Sequence, residues 1–255
     1  MDVQLNFINQ SNDQNNSQVV IFQKNLASKE NQLHVAWRVI ENCGPDDTHP
    51  FTYPQAMQLS VSDRYGTSTP RLDVGPGRKF TVSNSDSGLT LAPTGSADKP
   101  TEVQVVNALA EGTIDANVYK DGLLLATRTS IAPRQTAAFE FEPTLWIGTA
   151  QKVKQGAVIT PAMVDQINTQ ISLAGITRAN LIMTGGGQGI PAPPLTFTLQ
   201  GVVPAATGSN SAGASPPAGH AAAAPPTGRN SAASPAQRSN PLRALWKRLV
   251  GGRST

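Results

Sequence analysis

The chain has little of what most catalytic or exported proteins are built from. It holds one cysteine and three histidines in 255 residues, and 5% of it is aromatic. Cys43 alone cannot form an intramolecular disulfide, so no oxidising compartment is required. The opening residues, MDVQLNFINQ, lack the basic and apolar regions of a secretory leader. No run approaches the roughly 18 apolar residues of a membrane-crossing helix. A cytoplasmic location is the expectation. His34, His49 and His220 have no second histidine or cysteine at ligand spacing, so no metal or cofactor is expected.

Acidic residues are missing from one region entirely. From Pro204 to Thr255 there are six basic residues and no Asp or Glu, leaving 14 basic against 17 acidic residues in positions 1–203. The net +3 therefore hides a mildly acidic body and a basic tail. An acidic body is repelled by phosphate, which argues against nucleic acid as a partner.

What is present in the body is alternation. Val3, Leu5 and Phe7 alternate with polar neighbours, and the stretches 18–25 and 33–40 are rich in β-branched and aromatic residues. Trp37 and Trp146 sit in such apolar stretches and are expected in the core. The clearest signal runs from Gly112 to Gly148. Asp121-Gly122 accepts positive φ at both positions, as a two-residue hairpin turn requires. Counting outward pairs Val118 with Leu125, Ala116 with Thr127 and Ile114 with Thr129, and sets Asp115 opposite Arg128. Ala137, Phe139 and Phe141 then alternate as a third strand of the same meander. One helix is expected near 161–174, where Thr160-Pro161 supplies an N-cap and a first-turn proline. Met163, Ile167, Ile171 and Ala174 would form its apolar stripe, with Gly175 as the stop.

The fold class that follows is all-β. It is an antiparallel β-sandwich of about ten strands with one packed α-helix in residues 1–203, built either as one sandwich or as subdomains 1–110 and 111–203. Residues 204–240 are mostly Ala, Pro, Gly and Ser, too poor in apolar surface to offset ordering entropy, and read as a disordered linker. Residues 241–250 then read as a short amphipathic basic helix. Asn240-Pro241 starts it, and Leu242, Leu245, Trp246 and Leu249 line one side. Arg243, Lys247 and Arg248 line the other, and Gly251-Gly252 stops it before the tail 251–255.

Catalytic signals are thin. His49 near Asp46 and Asp47 is the only acid–base grouping, in a loop whose composition is that of a solvated turn. Cys43 matches no thiol-enzyme signature and reads as a small buried residue. The glycine run Gly185–Gly189 follows a strand, but no Lys-Ser/Thr and no helix follow it, so neither phosphate-loop pattern is met. No catalytic, cofactor-binding or metal residue is assigned, and the chain is not expected to be an enzyme.

The partner-docking candidates are Leu242, Arg243, Leu245, Trp246, Lys247, Arg248 and Leu249. In kind, a Pro/Ala-rich tether ending in such a helix resembles the targeting peptides that recruit cargo into larger assemblies. Such a helix suits a hydrophobic groove on a protein, or the surface of an anionic membrane as a peripheral contact. A ten-residue helix binds weakly alone, and multiple copies bind through avidity, so a homo-oligomeric body is expected. The expectation is a non-enzymatic structural or interaction protein. The alternative is a ligand-binding β-sandwich, lectin-like or membrane-attacking.

Overall fold

The computed structural model describes residues 1–15, 17–27, 33–189 and 192–206. Its strands are β1 (Val3–Asn9), β2 (Gln18–Phe22), β3 (Leu33–Val35), β4 (Arg38–Ile40), β5 (Thr48–Tyr53) and β6 (Met57–Asp63). They continue with β7 (Leu72–Val74), β8 (Arg78–Ser85), β9 (Gly88–Ser96), β10 (Val103–Asn107), β11 (Ile114–Lys120) and β12 (Leu123–Ile131). The last are β13 (Thr136–Phe139), β14 (Thr144–Ala150), β15 (Val158–Ile159), β16 (Thr169–Ser172), β17 (Ile176–Thr184) and β18 (Thr196–Pro204). One helix, α1 (Pro161–Gln166), lies between β15 and β16.

The expected all-β body is present as four mainly antiparallel sheets. Their strand orders are β18-β17-β1-β5, β16-β14-β2-β4, β15-β3-β12-β11-β6-β7 and β13-β10-β8-β9. The described residues hold eighteen strands, not about ten; half a dozen span only two to four residues, too few for periodicity alone to separate them. Two pairings are parallel, β1 with β17 and β8 with β10. Pairings such as β10 with β13, β6 with β11 and β2 with β14 cross position 110, and Met1–Thr207 forms one compact unit.

Three sequence expectations need correction. The Asp121-Gly122 turn forms as read, with φ of 52° and 70°. The register slips beyond it: Val118 pairs with Ala126, Ala116 with Arg128 and Ile114 with Ile131. A bulge leaves Leu125 and Ala126 both buried, and a second one places Ser130 at φ 57°. Asp115 therefore does not face Arg128; its carboxylate accepts the Ser130 N–H at 2.8 Å.

The meander also ends after two strands, because β13 pairs with β10 in another sheet. Pro133 and the left-handed Arg134 (φ 67°) turn the chain away. Asn107 holds this corner, its side-chain amide donating to the carbonyls of Ile131 and Gly112.

Finally, the helix stops at Gln166 rather than 174. Thr160 caps it, accepting the Met163 N–H, and Pro161 opens it as expected. The sequence Thr169-Gln170-Ile171-Ser172 alternates with period two and pairs as β16 with β14, which puts Leu145 opposite Ile171.

Among the described residues, two apolar cores result. The large one joins all four sheets and includes Phe7, Leu59, Val105, Leu125, Phe139 and Leu145. The small one gathers Val20, Phe22, Ala36, Val153, Ile159 and Ile167 beneath the segment that carries β15 and α1. That segment is tied down along its length. The Val153 N–H donates to the Gln18 side chain, the Ala36 N–H to Ala157 O, and the Gly156 N–H to Ala36 O. A Cβ on Gly148 would lie 2.9 Å from Ile167 Cα, so β14 and the end of α1 meet through the absence of a side chain.

Candidate functional site

The rim of the small core is shaped as a groove of about 530 Å³. β3 contributes Leu33 and His34, β15 contributes Val158 and Ile159, and α1 contributes Val164 and Asp165. The helix is held against the sheet by Ile167 just past its end, which is fully buried, while the helix's own side chains are half-buried or exposed. Leu33 and Val158 remain 38% and 49% exposed. The size falls within the range of roughly 300–1,000 Å³ typical of small-molecule sites, and the walls are largely apolar, as such sites are.

His34 is a polar group set into this wall. Its ring packs on Phe22 at 5.4 Å, and Phe22 stacks in turn on Trp146 at 6.4 Å. Lys24 places its ammonium 3.4 Å from the Trp146 ring centre. Burial, and then the charge of Lys24, lower the His34 pKa below its ordinary value. At pH 7 it is a neutral imidazole, with one nitrogen to donate and one to accept.

A second polar group lies where three sheets meet. Strict alternation along β11 buries Ile114, Ala116, Val118 and, at the strand end, Lys120, which is 4% exposed. Its ammonium donates to the Tyr53 hydroxyl at 2.6 Å and lies 4.0 Å from that ring's centre. Gln23 also donates to the Tyr53 hydroxyl at 3.1 Å, and the Trp37 indole N–H donates to the Lys120 carbonyl at 3.0 Å. Burial pushes the Lys120 amine down to about 7, against the charge of Asp2, which acts to raise it; burial also raises the Tyr53 phenol. Beside this node, Arg38 bridges to Asp121 at 2.8 Å, its guanidinium over Trp37 and Phe51.

No family model, curated protein or solved structure matches this chain. Its chemistry therefore rests on its own side chains.

The sequence-level candidates are placed as follows. Leu242, Arg243, Leu245, Trp246, Lys247, Arg248 and Leu249 lie outside the described residues, as do His220 and all of the linker read over 204–240 except residues 204–206, of which Pro204 ends β18. His49 packs near Phe7, with ring centres 6.4 Å apart, and lines a recess of about 240 Å³ with Arg38 and Glu41. The Asp47 carboxylate accepts the Gly44 N–H, and Asp46 adopts φ 65° with its N–H on the Asn9 carbonyl. Among the described residues, no three or more His, Cys, Asp or Glu side chains group as metal ligands.

Cys43 is 5% exposed, and burial followed by Asp47 raises its thiol to about 11, so it stays protonated. Gly185 and Gly186 serve packing: a Cβ there would strike Pro194 O at 2.1 Å and Asp13 N at 3.0 Å. Trp37 is fully buried, as expected.

Sequence reasoning missed both His34 as a groove wall and Lys120 as a buried amine. For Lys120 the signal existed, because it falls on the inward parity of Ile114, Ala116 and Val118. For His34 it did not, since the groove is assembled from β3 and a segment more than 120 residues away in the chain.

Proposed function

We propose that the chain is a non-enzymatic structural or interaction protein of the cytoplasm. Its antiparallel β-sandwich body self-associates, and the segment 241–250 docks it onto a partner protein. The observation that carries the reading is how the body ends. β18 is an edge strand of nine residues without a charge, exposed from Gln200 to Pro204, with Val202 and Val203 each 46% exposed. Long uncharged edges are templates for pairing with another chain. The acid-free tail follows directly, and its Leu242, Leu245, Trp246 and Leu249 would anchor in a groove once several copies act together.

The test compares the full chain, a chain ending at Ala206, and Trp246→Glu. Sedimentation measures self-association, and affinity capture with cross-linking measures docking. Loss of docking in both variants, with self-association retained, is the expected result. Identical behaviour of all three overturns the tail's role, and a monomeric full chain overturns the assembly role. Equal recovery of docking on anionic vesicles would assign the tail to a membrane surface instead.

A second reading, a ligand-binding β-sandwich, draws support from the groove beside His34. Its apolar walls suit an apolar molecule better than a sugar.

A further inference from the structure

We infer that the groove between β3–β15 and α1 binds a small apolar molecule carrying an amine. The inference rests on the ligand-binding reading and names the ligand class for that site.

The walls set the body of the ligand. Leu33, Val158 and Val164 line the groove, and the first two keep more than a third of their surface in water. Covering such surface is favourable by about 25 cal/mol per Å², and an aryl or short alkyl group fits within about 530 Å³. A second core lies directly beneath, so the floor is already close-packed by Phe22, Ile159 and Ile167.

The polar groups set the head. Among the described residues, Asp165 is the one charged residue lining the groove; it is exposed, on the last turn of α1. His34 offers a neutral imidazole that a cation does not have to oppose. Lys24 is positive but does not line the groove, and its ammonium is held over Trp146. An ammonium head near Asp165 therefore meets attraction, and a carboxylate head meets repulsion. Exposed pairs of this kind are worth up to about 1 kcal/mol, which corresponds to about fivefold in affinity.

The test titrates the full chain at low salt with 2-phenylethylamine, 2-phenylethanol and 3-phenylpropionate. Side-chain NMR shifts of His34 and the Val158 and Val164 methyls report binding. The amine should bind about fivefold tighter than the alcohol and the carboxylate more weakly than either, with the spread closing in 0.5 M salt. Asp165→Asn should bring the amine level with the alcohol. Val164→Trp, or Val158→Trp where the first does not fold, should remove the shifts with all three probes. Equal binding of amine and alcohol to the unmodified chain overturns the amine and leaves the ligand-binding reading standing. Silence of His34 and both valines with every probe overturns both.

Discussion

The two cores differ in where they keep their polar groups. The large core encloses Lys120, Tyr53 and Gln23, each under 5% exposed, at the junction of three sheets. The small core holds His34 half-buried and Asp165 exposed at its edge, beside a groove. Both Lys120 and His34 titrate below their ordinary values, and burial is the leading cause in each. Perturbed titration is a common mark of functional sites, yet here it separates from access. The more strongly shifted group is sealed, and the reachable one is shifted less. In this chain, perturbed titration and access therefore point to different places.

The largest expected effect breaks that contrast from the sealed side. In the unfolded chain Lys120 titrates near its ordinary 10.5, against about 7 when folded. Between those values the unfolded chain binds the extra proton, so stability rises with pH from 7 to 10.5 and is flat below 7. The full gap corresponds to about 5 kcal/mol, of which about 4 is felt at pH 7. Lys120→Met removes this penalty and forfeits one hydrogen bond worth about 1 kcal/mol. Urea unfolding should therefore show the variant about 3 kcal/mol more stable at pH 7, with the advantage shrinking towards pH 10. A variant no more stable than the parent at pH 7 would mean that the amine is not sealed.

The next effect comes from the thin side. Gly148→Ala forces β14 and Ile167 apart and should cost about 1–3 kcal/mol, typical of overpacking. Amide exchange should localise the loss to residues 153–167 while β11 and β12 keep their protection. Uniform loss of protection would show that the two cores unfold as one.

The smallest effect concerns the helix start. Thr160→Ala removes the side-chain acceptor of the Met163 N–H and should cost about 1 kcal/mol. Binding of 2-phenylethylamine should weaken in step as α1 frays. Unaltered binding would detach the groove from the helix.

The sequence made the fold class legible because alternation and turn chemistry are local. Val3–Phe7 and the Asp121-Gly122 turn needed no tertiary information. Registers and sheet assignments were not local. The bulges at Leu125 and Ser130 lie in β12, whose second neighbour, β3, is distant in sequence, and β13 leaves its neighbour because Asn107, some 25 residues earlier, holds the corner. The helix was read eight residues too long because Ile167 and Ile171 fit both a 3.6-residue stripe and, from Thr169 on, a strand; pairing with Leu145 decided it. The small core was invisible for the same reason, since Phe22, Ala36, Val153 and Ile167 share no window of sequence. The split of charge between body and tail needed only counting.

The parallel pairing of β1 with β17 sets a timetable. Leu5 lies opposite Phe51 on one side and Ala179 on the other. The first neighbour leaves the ribosome early, the second roughly 130 residues after it. At about 5–20 residues per second that interval lasts about 6–26 seconds. Throughout it, β1 has one ladder satisfied and one edge open to any strand nearby. The polar positions Gln4 and Asn6, which alternate with Val3, Leu5 and Phe7, make that waiting edge less adhesive than an unbroken apolar run would be.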